Sequence, residues 1–142
     1  MTREYFIDLA GGLLYGAEGI ALMAIGYVVI DLLTPGNLGR IMVEERNRDA
    51  SLIVAAALLG IGAIVAVAIY SAEGHLGQGL LQAGGYGLLG ILLMGVAFRV
   101  IDVLTPDRLG HILMSKEDQP VTFMISASLI AVGAILAAAI SP

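Results

Sequence analysis

The chain contains no cysteine and no tryptophan, and only 13% of its 142 residues are charged. Without cysteine there is no disulfide framework, no thiolate metal site and no thiol redox centre. Without tryptophan, any aromatic belt at a membrane interface has to come from Tyr and Phe. A soluble domain of this size carries about 25% charged residues, so the scarcity of charge leaves a large apolar surface that has to face something other than water. Basic residues are fewer still: seven Lys and Arg against twelve Asp and Glu, a net charge of −5. That balance excludes a nucleic-acid partner, because phosphate binding draws most of its affinity from a basic face. The first residues, Met1 to Asp8, have no basic run leading into a short apolar core and a small-residue cleavage site. No cleavable signal peptide is therefore expected, and the first apolar span serves as the insertion signal.

What the chain has in abundance is long apolar segments. Hydrophobic residues make up 58% of it, and the mean hydropathy is +0.93. Four segments stand out, at about Leu9 to Leu33, Ala50 to Tyr70, Gly79 to Leu104 and Val121 to Ile140. Each exceeds the roughly 18 apolar residues that mark a membrane-spanning helix. Helices are expected, since lipid offers backbone groups no partner and they must bond within the segment. The alternation of a membrane β-strand is absent. The expected fold is therefore an all-α membrane protein with four transmembrane helices, and residues 1–142 form one domain. Thr34-Pro35 and Thr105-Pro106 close the first and third spans, because the residue before a proline is driven out of the α region. Asp49 and Ser51 offer caps for the second span, and Pro120 suits the first turn of the fourth.

The two halves of the chain match at a constant offset of 71 residues without a gap. Tyr15-Gly16 corresponds to Tyr86-Gly87, Gly19 to Gly90, Leu22-Met23 to Leu93-Met94, and Ile30-Asp31 to Ile101-Asp102. Leu33-Thr34-Pro35 corresponds to Leu104-Thr105-Pro106, Leu38-Gly39 to Leu109-Gly110, and Gly62-Ala63-Ile64 to Gly133-Ala134-Ile135. The chain is a duplication, with repeat one at about 1–71 and repeat two at about 72–142. Each repeat holds two spans, so both copies enter the membrane from the same side. They are expected to form two parallel hairpins related by a pseudo-twofold axis along the membrane normal. Five of the seven basic residues fall in the loops after spans one and three: Arg40, Arg46, Arg48, Arg108 and Lys116. The positive-inside rule then places loops 36–49 and 107–120 in the cytoplasm and both termini outside.

Small residues recur along one line of each span. In the first these are Gly12, Gly16, Gly19 and Gly26, with Met23 beside them; in the third, Ala83, Gly87, Gly90 and Ala97, with Met94. The second span has Ala56, Gly60 and Ala63, and the fourth Ala127, Ala131 and Ala134. Such lines let helix backbones approach closely, which drives association in lipid. They are expected to be contact seams, either inside the bundle or between subunits.

Few residues inside the spans can carry chemistry. Asp31 and Asp102 each lie one turn before a Thr-Pro, at the negative end of a helix dipole, and a carboxylate there is costly to bury. Projection places Asp31 near Tyr27; Phe98 takes the tyrosine's place in repeat two. The pair reads either as a cation or proton site, or as a structural pin that fixes the hairpin loop. Arg99 precedes Asp102 by three residues, within reach on a helix face, and its counterpart is Val28. It either pairs with Asp102 or carries its guanidinium toward the headgroups. Glu18 lies nearer mid-membrane opposite Leu89 in the alignment, and reads equally as a functional carboxylate or an interhelical contact. His75 and His111 are isolated, so no metal site and no cofactor are expected. Leu38 to Met42 and Leu109 to Met114 suit short surface helices.

The pattern Ile-Asp-x-Leu-Thr-Pro-x-x-Leu-Gly, at Ile30 to Gly39 and Ile101 to Gly110 within a duplicated two-span unit, resembles the bacterial "domain of unknown function 350" family. The resemblance covers essentially the whole chain and implies a small inner-membrane protein with four helices and no settled biochemical activity. The duplicated glycine-rich hairpin is also similar to the rotor proteolipids of ion-driven ATPases. The acids here, however, sit in the first helix of each hairpin near its cytoplasmic end, where those proteolipids place theirs mid-membrane in the second. The expected function is a non-catalytic subunit or scaffold of an oligomeric membrane complex, in contact with lipid and with further copies or other subunits. The alternative is an oligomeric ion or proton channel that uses the intramembrane carboxylates.

Overall fold

A computed structural model describes residues 2–34, 38–104 and 120–141. The described residues form α1 (Thr2–Leu33), the short α2 (Leu38–Val43), α3 (Arg48–Tyr70), α4 (Leu76–Leu104) and α5 (Val121–Ile140). The four long helices are each apolar and long enough to cross a membrane, which gives an all-α membrane fold. Three of the four follow the apolar segments to within three residues. The exception is α1, which starts at Thr2 and not near Leu9. Residues 2–8 contain no proline or glycine to stop the helix, and Glu4 in its first turn complements the helix dipole.

The ends of the helices have local causes. After Leu33, Thr34 is buried and its Oγ1 donates to the Ile30 carbonyl at 2.9 Å, satisfying one of the orphan acceptors of the last turn. The turn into α3 passes through Arg46 at φ 52°, in the left-handed region. Asn47 then caps α3, its side-chain oxygen accepting from the Ala50 amide at 3.1 Å. The cap is thus Asn47 and neither Asp49 nor Ser51. Asn47 stands at the position whose oxygen reaches the third amide, while Asp49 lies inside the first turn and is buried. Pro120 occupies the cap position of α5. Within α2, Ile41 is buried against the bundle. The stretch Leu109 to Met114 lies outside the described residues, as do Pro35, Thr105 and Pro106.

The helices pack as two triangles sharing one edge. α3 and α4 form the shared edge, α1 lies against both, and α5 lies against both from the other side. The α3–α5 contact is the most extensive, and α1 and α5 meet at most marginally. A pseudo-twofold axis would require the α3–α4 contact to be repeated between α5 and α1. The contacts do not show that exchange, so hairpin one (α1 and α3) joins hairpin two (α4 and α5) by a directional contact. α3 is therefore the centre of the core: Ile53, Ala57, Ile61 and Ile64 are fully covered, packed among Leu22, Ile91, Met94 and Leu129.

Candidate functional site

The polar residues of the spans divide between two levels. Along the α1–α4 seam, Tyr15 meets Gly79, Glu18 meets Gly84, Leu22 meets Gly87, and Val29 with Leu33 meets Gly95. The contacts advance together, so α1 and α4 run in the same direction, and Asp31 and Asp102 fall at the same end of neighbouring helices. Asp102 is buried, Asp31 and Tyr27 are half-buried, and Arg99 is exposed. Arg99 Nη1 lies 3.8 Å from Asp102 Oδ2, on the next turn of the same helix. An apolar crevice of about 560 Å³ opens beside this pair between α1 and α4, lined by Val29, Leu33, Gly95 and Val103 among others.

Glu18 stands nearer the middle of α1. Its Oε1 lies 2.6 Å from where a Cβ on Gly84 would be. Its Oε2 is shielded from solvent and has no hydrogen-bond partner among the described residues. Thr122 and Ser126, on the face of α5 turned into the bundle, are buried with hydroxyls in the same condition. Thr122 carries no signal in the sequence beyond its place on one face of an apolar helix, whereas Ser126 and Ser128 are residues expected to hydrogen-bond locally or across helices. Ser128 does so, its Oγ donating to the Met124 carbonyl at 2.8 Å. Among the described residues, no group of three or more His, Asp or Glu could hold a metal ion.

On α4, Gly87 and Gly90 meet the other hairpin, whereas on α1 Gly19 and Gly26 meet α3 of their own hairpin. A methyl built on Gly87 would lie 2.7 Å from Leu22 Cδ1, and one on Gly90 would run into Ile64. One on Gly26 would lie 2.9 Å from Ile61 Cγ2, and one on Gly19 would lie 3.3 Å from Ile69 Cδ1. Gly12 and Gly16 have nothing within 4 Å. They line, with Gly19, Met23 and Gly62, an outward groove of about 580 Å³ between α1 and α3. The tightest crossing is between Gly60 of α3 and Gly133 of α5, where backbone meets backbone. On α5 the buried line is Ile125, Leu129, Gly133 and Ala137, while Ala127, Ala131 and Ala134 face outward. The alanine line follows α3 by repeat equivalence, but α3 is covered on several sides and α5 only toward α3 and α4.

Comparison with known proteins agrees with a membrane-spanning chain. The family model described as Domain of Unknown Function (DUF350) matches residues 5–140. A UPF0719 transmembrane protein of Mycolicibacterium paratuberculosis is 33% identical over 129 residues, covering 91% of this chain and 85% of that protein. UPF0719 transmembrane proteins of Mycobacterium bovis and Mycobacterium tuberculosis are each 31% identical over 128 residues, covering 90% of this chain and 84% of theirs. No solved structure matches the chain. The family match spans both hairpins and the polar residues of this site, and the chain belongs to the DUF350 family of small multi-pass membrane proteins.

Proposed function

We propose that the chain is a non-catalytic subunit of an oligomeric complex in the bacterial plasma membrane, and that its role is to join helices. The observation that carries this reading is the open groove between α1 and α3. Its floor is Gly12, Gly16, Gly19 and Gly62, residues that let a helix backbone approach closely. Of the four spans α1 is the least covered, with 17% of its most apolar stretch buried. In this reading the two repeats enter the membrane in the same direction, with both termini outside and the loops at 36–49 and 107–120 in the cytoplasm. The test is the mass of the particle taken from native membranes with its lipid, by native mass spectrometry. A particle heavier than one 14.7 kDa chain is the expected result, and a single chain would overturn the reading.

A second reading has its own observation. Asp31 and Asp102 lie at one end of two neighbouring helices, and Glu18 holds an oxygen at the α1–α4 seam with no hydrogen-bond partner among the described residues. Intramembrane carboxylates commonly serve ion or proton pathways, and an oligomer of this chain would place several of them in one assembly. Ion flux in proteoliposomes that disappears with Asp31→Asn plus Asp102→Asn, fold and oligomer intact, would make the channel the leading function.

A further inference from the structure

The contact that joins hairpin one to hairpin two is used on only one side of each hairpin. Hairpin one supplies Leu22 and Ile64 as knobs. Hairpin two supplies the holes: Leu22 sits over Gly87, Ile64 over Gly90, and Gly60 beside Gly133 and Met94. An offset of 71 residues carries each partner to the opposite, unused side of the other hairpin. The hairpin-two residues of this contact, Gly87, Gly90, Met94 and Gly133, become Gly16, Gly19, Met23 and Gly62. Those four residues all line the open groove between α1 and α3. The knobs Leu22 and Ile64 become Leu93 and Ile135, which are 39% and 64% exposed where their counterparts are 3% and 0%.

We propose that a second copy of this chain docks hairpin two into the open groove of hairpin one, by the knob-and-glycine contacts that already join the two hairpins within the chain. The proposal rests on the subunit reading and names its partner. Three observations support it. First, knob and hole are both retained: of the six positions just mapped, every one holds the same residue in the two repeats. Second, each retained residue is buried in one repeat and partly or fully exposed in the other. Ile91 is 1% exposed and its counterpart Ile20, on the rim of the groove, is 74% exposed. Third, glycine is among the poorest helix formers, so Gly12 and Gly16, with nothing within 4 Å of either, would weaken α1 without return if they faced only acyl chains. A helix seated on them supplies the return.

The orientation is also right. The two hairpins enter the membrane in the same direction, so a neighbour placed by the same operation lies in the same bilayer and the same sense. Such a contact is heterologous: the surface used on one copy differs from that used on the next. It leaves a free groove at one end of the assembly and free knobs at the other, and it closes only as a ring. The rim of the seam differs between repeats. Gly60 corresponds to Ala131, and Gly79 and Gly84 to Asp8 and Leu13. The contact between copies is accordingly wider than the one inside the chain, and it opens toward the start of α1.

The chain has no cysteine, so disulfide cross-linking in native membranes reads the seam directly. Leu93→Cys with Gly16→Cys in one chain is expected to give, on oxidation, a ladder of dimers and higher species that collapses to monomer on reduction. Leu22→Cys with Gly87→Cys closes the equivalent bond within a monomer and reports that the fold is intact. In a second pair, Ile135→Cys with Gly19→Cys, adding Gly16→Leu fills the groove and is expected to abolish the ladder. Gly16 has open space around it, so the monomer itself is expected to tolerate this change. Monomer alone from the Leu93 and Gly16 pair, with the internal control closed, overturns the proposal. Dimers from Leu93→Cys by itself overturn it as well, since they mean a twofold contact. If the native particle is heavier than one chain and no ladder forms, the head-to-tail seam falls and the subunit reading stands on another surface. If the particle has the mass of one chain, both fall.

Discussion

Hairpin one and hairpin two carry the same residue at many positions 71 apart, yet the same residue does different work in each. Gly90 and Gly19 are repeat equivalents, but only Gly90 has a side chain of the other hairpin, Ile64, driven into its hole. Ile64 is fully covered and Ile135 is 64% exposed. The difference lies in topology, because only α3 and α4 sit on the shared edge of the two triangles. Identity of residue therefore fixes what a position can accept, and the neighbouring helices decide whether anything is offered to it.

The strongest way to break this comparison is to add bulk at equivalent glycines. Gly133→Leu would force apart the backbones of α3 and α5, and is expected to destabilise the folded chain by about 3 kcal/mol, with a comparable loss for Gly60→Leu. Gly62→Leu faces the groove, with only Met23 within 4 Å at 3.9 Å, and is expected to leave monomer stability within about 0.5 kcal/mol. Reversible unfolding of monomers in mixed micelles compares the pair. Equal losses at 62 and 133 would mean that the hairpins are packed symmetrically after all.

Truncating the knobs is the next step down. Ile64→Ala opens a cavity at the centre of the core and is expected to cost about 2 kcal/mol, the low end of the usual range. Ile135→Ala is expected to change the monomer's stability by less than about 0.5 kcal/mol, and to register only where copies associate.

Smaller effects come from two polar departures between repeats. Glu18→Leu installs the residue that repeat two carries at Leu89 and removes an oxygen with no described partner. It is expected to stabilise the chain by about 1 kcal/mol, seen as resistance to thermal unfolding in lipid nanodiscs. A large loss would instead mean that Glu18 is held by a group its neighbours do not reveal. Arg99→Val, the residue type at Val28, breaks an ion pair whose arginine is exposed. It is expected to cost at most about 0.5 kcal/mol by the same assay.

Most of the fold was legible in the sequence because lipid makes it so. Four apolar runs with no competing signal admit one structure each, and the ends of α3, α4 and α5 fell where polar residues, Pro or Gly interrupt them. The start of α1 was not legible because Thr2, Arg3, Glu4 and Asp8 interrupt the apolar pattern, and charge ends an apolar run without ending a helix. The arrangement of the helices was far less legible. A constant 71-residue offset states that two units are related; it does not state the operation that relates them, and an axis along the membrane normal is only one such operation. The seam on α1 and α4 was visible as glycines at helical spacing. The α5 line was not, since Ala127, Ala131 and Ala134 and the buried Ile125, Leu129 and Gly133 offer two plausible faces of a helix that is apolar all round. Hydroxyls such as Thr122 and Ser126 give no directional signal at all.

The lengths of α1 and α5 have a consequence for the bilayer itself. At 1.5 Å per residue the apolar stretch of α1 from Leu9 to Leu33 extends about 38 Å and the 20 residues of α5 about 30 Å, against a hydrocarbon thickness of about 30 Å. The two helices stand on opposite flanks of the bundle. A membrane that matches one flank is mismatched at the other, so lipid must thicken, or α1 must lean, along one side only. The protein is thus a step in hydrophobic height, and the lipid distortion it creates is smallest where the tall flank of one molecule lies beside the short flank of the next.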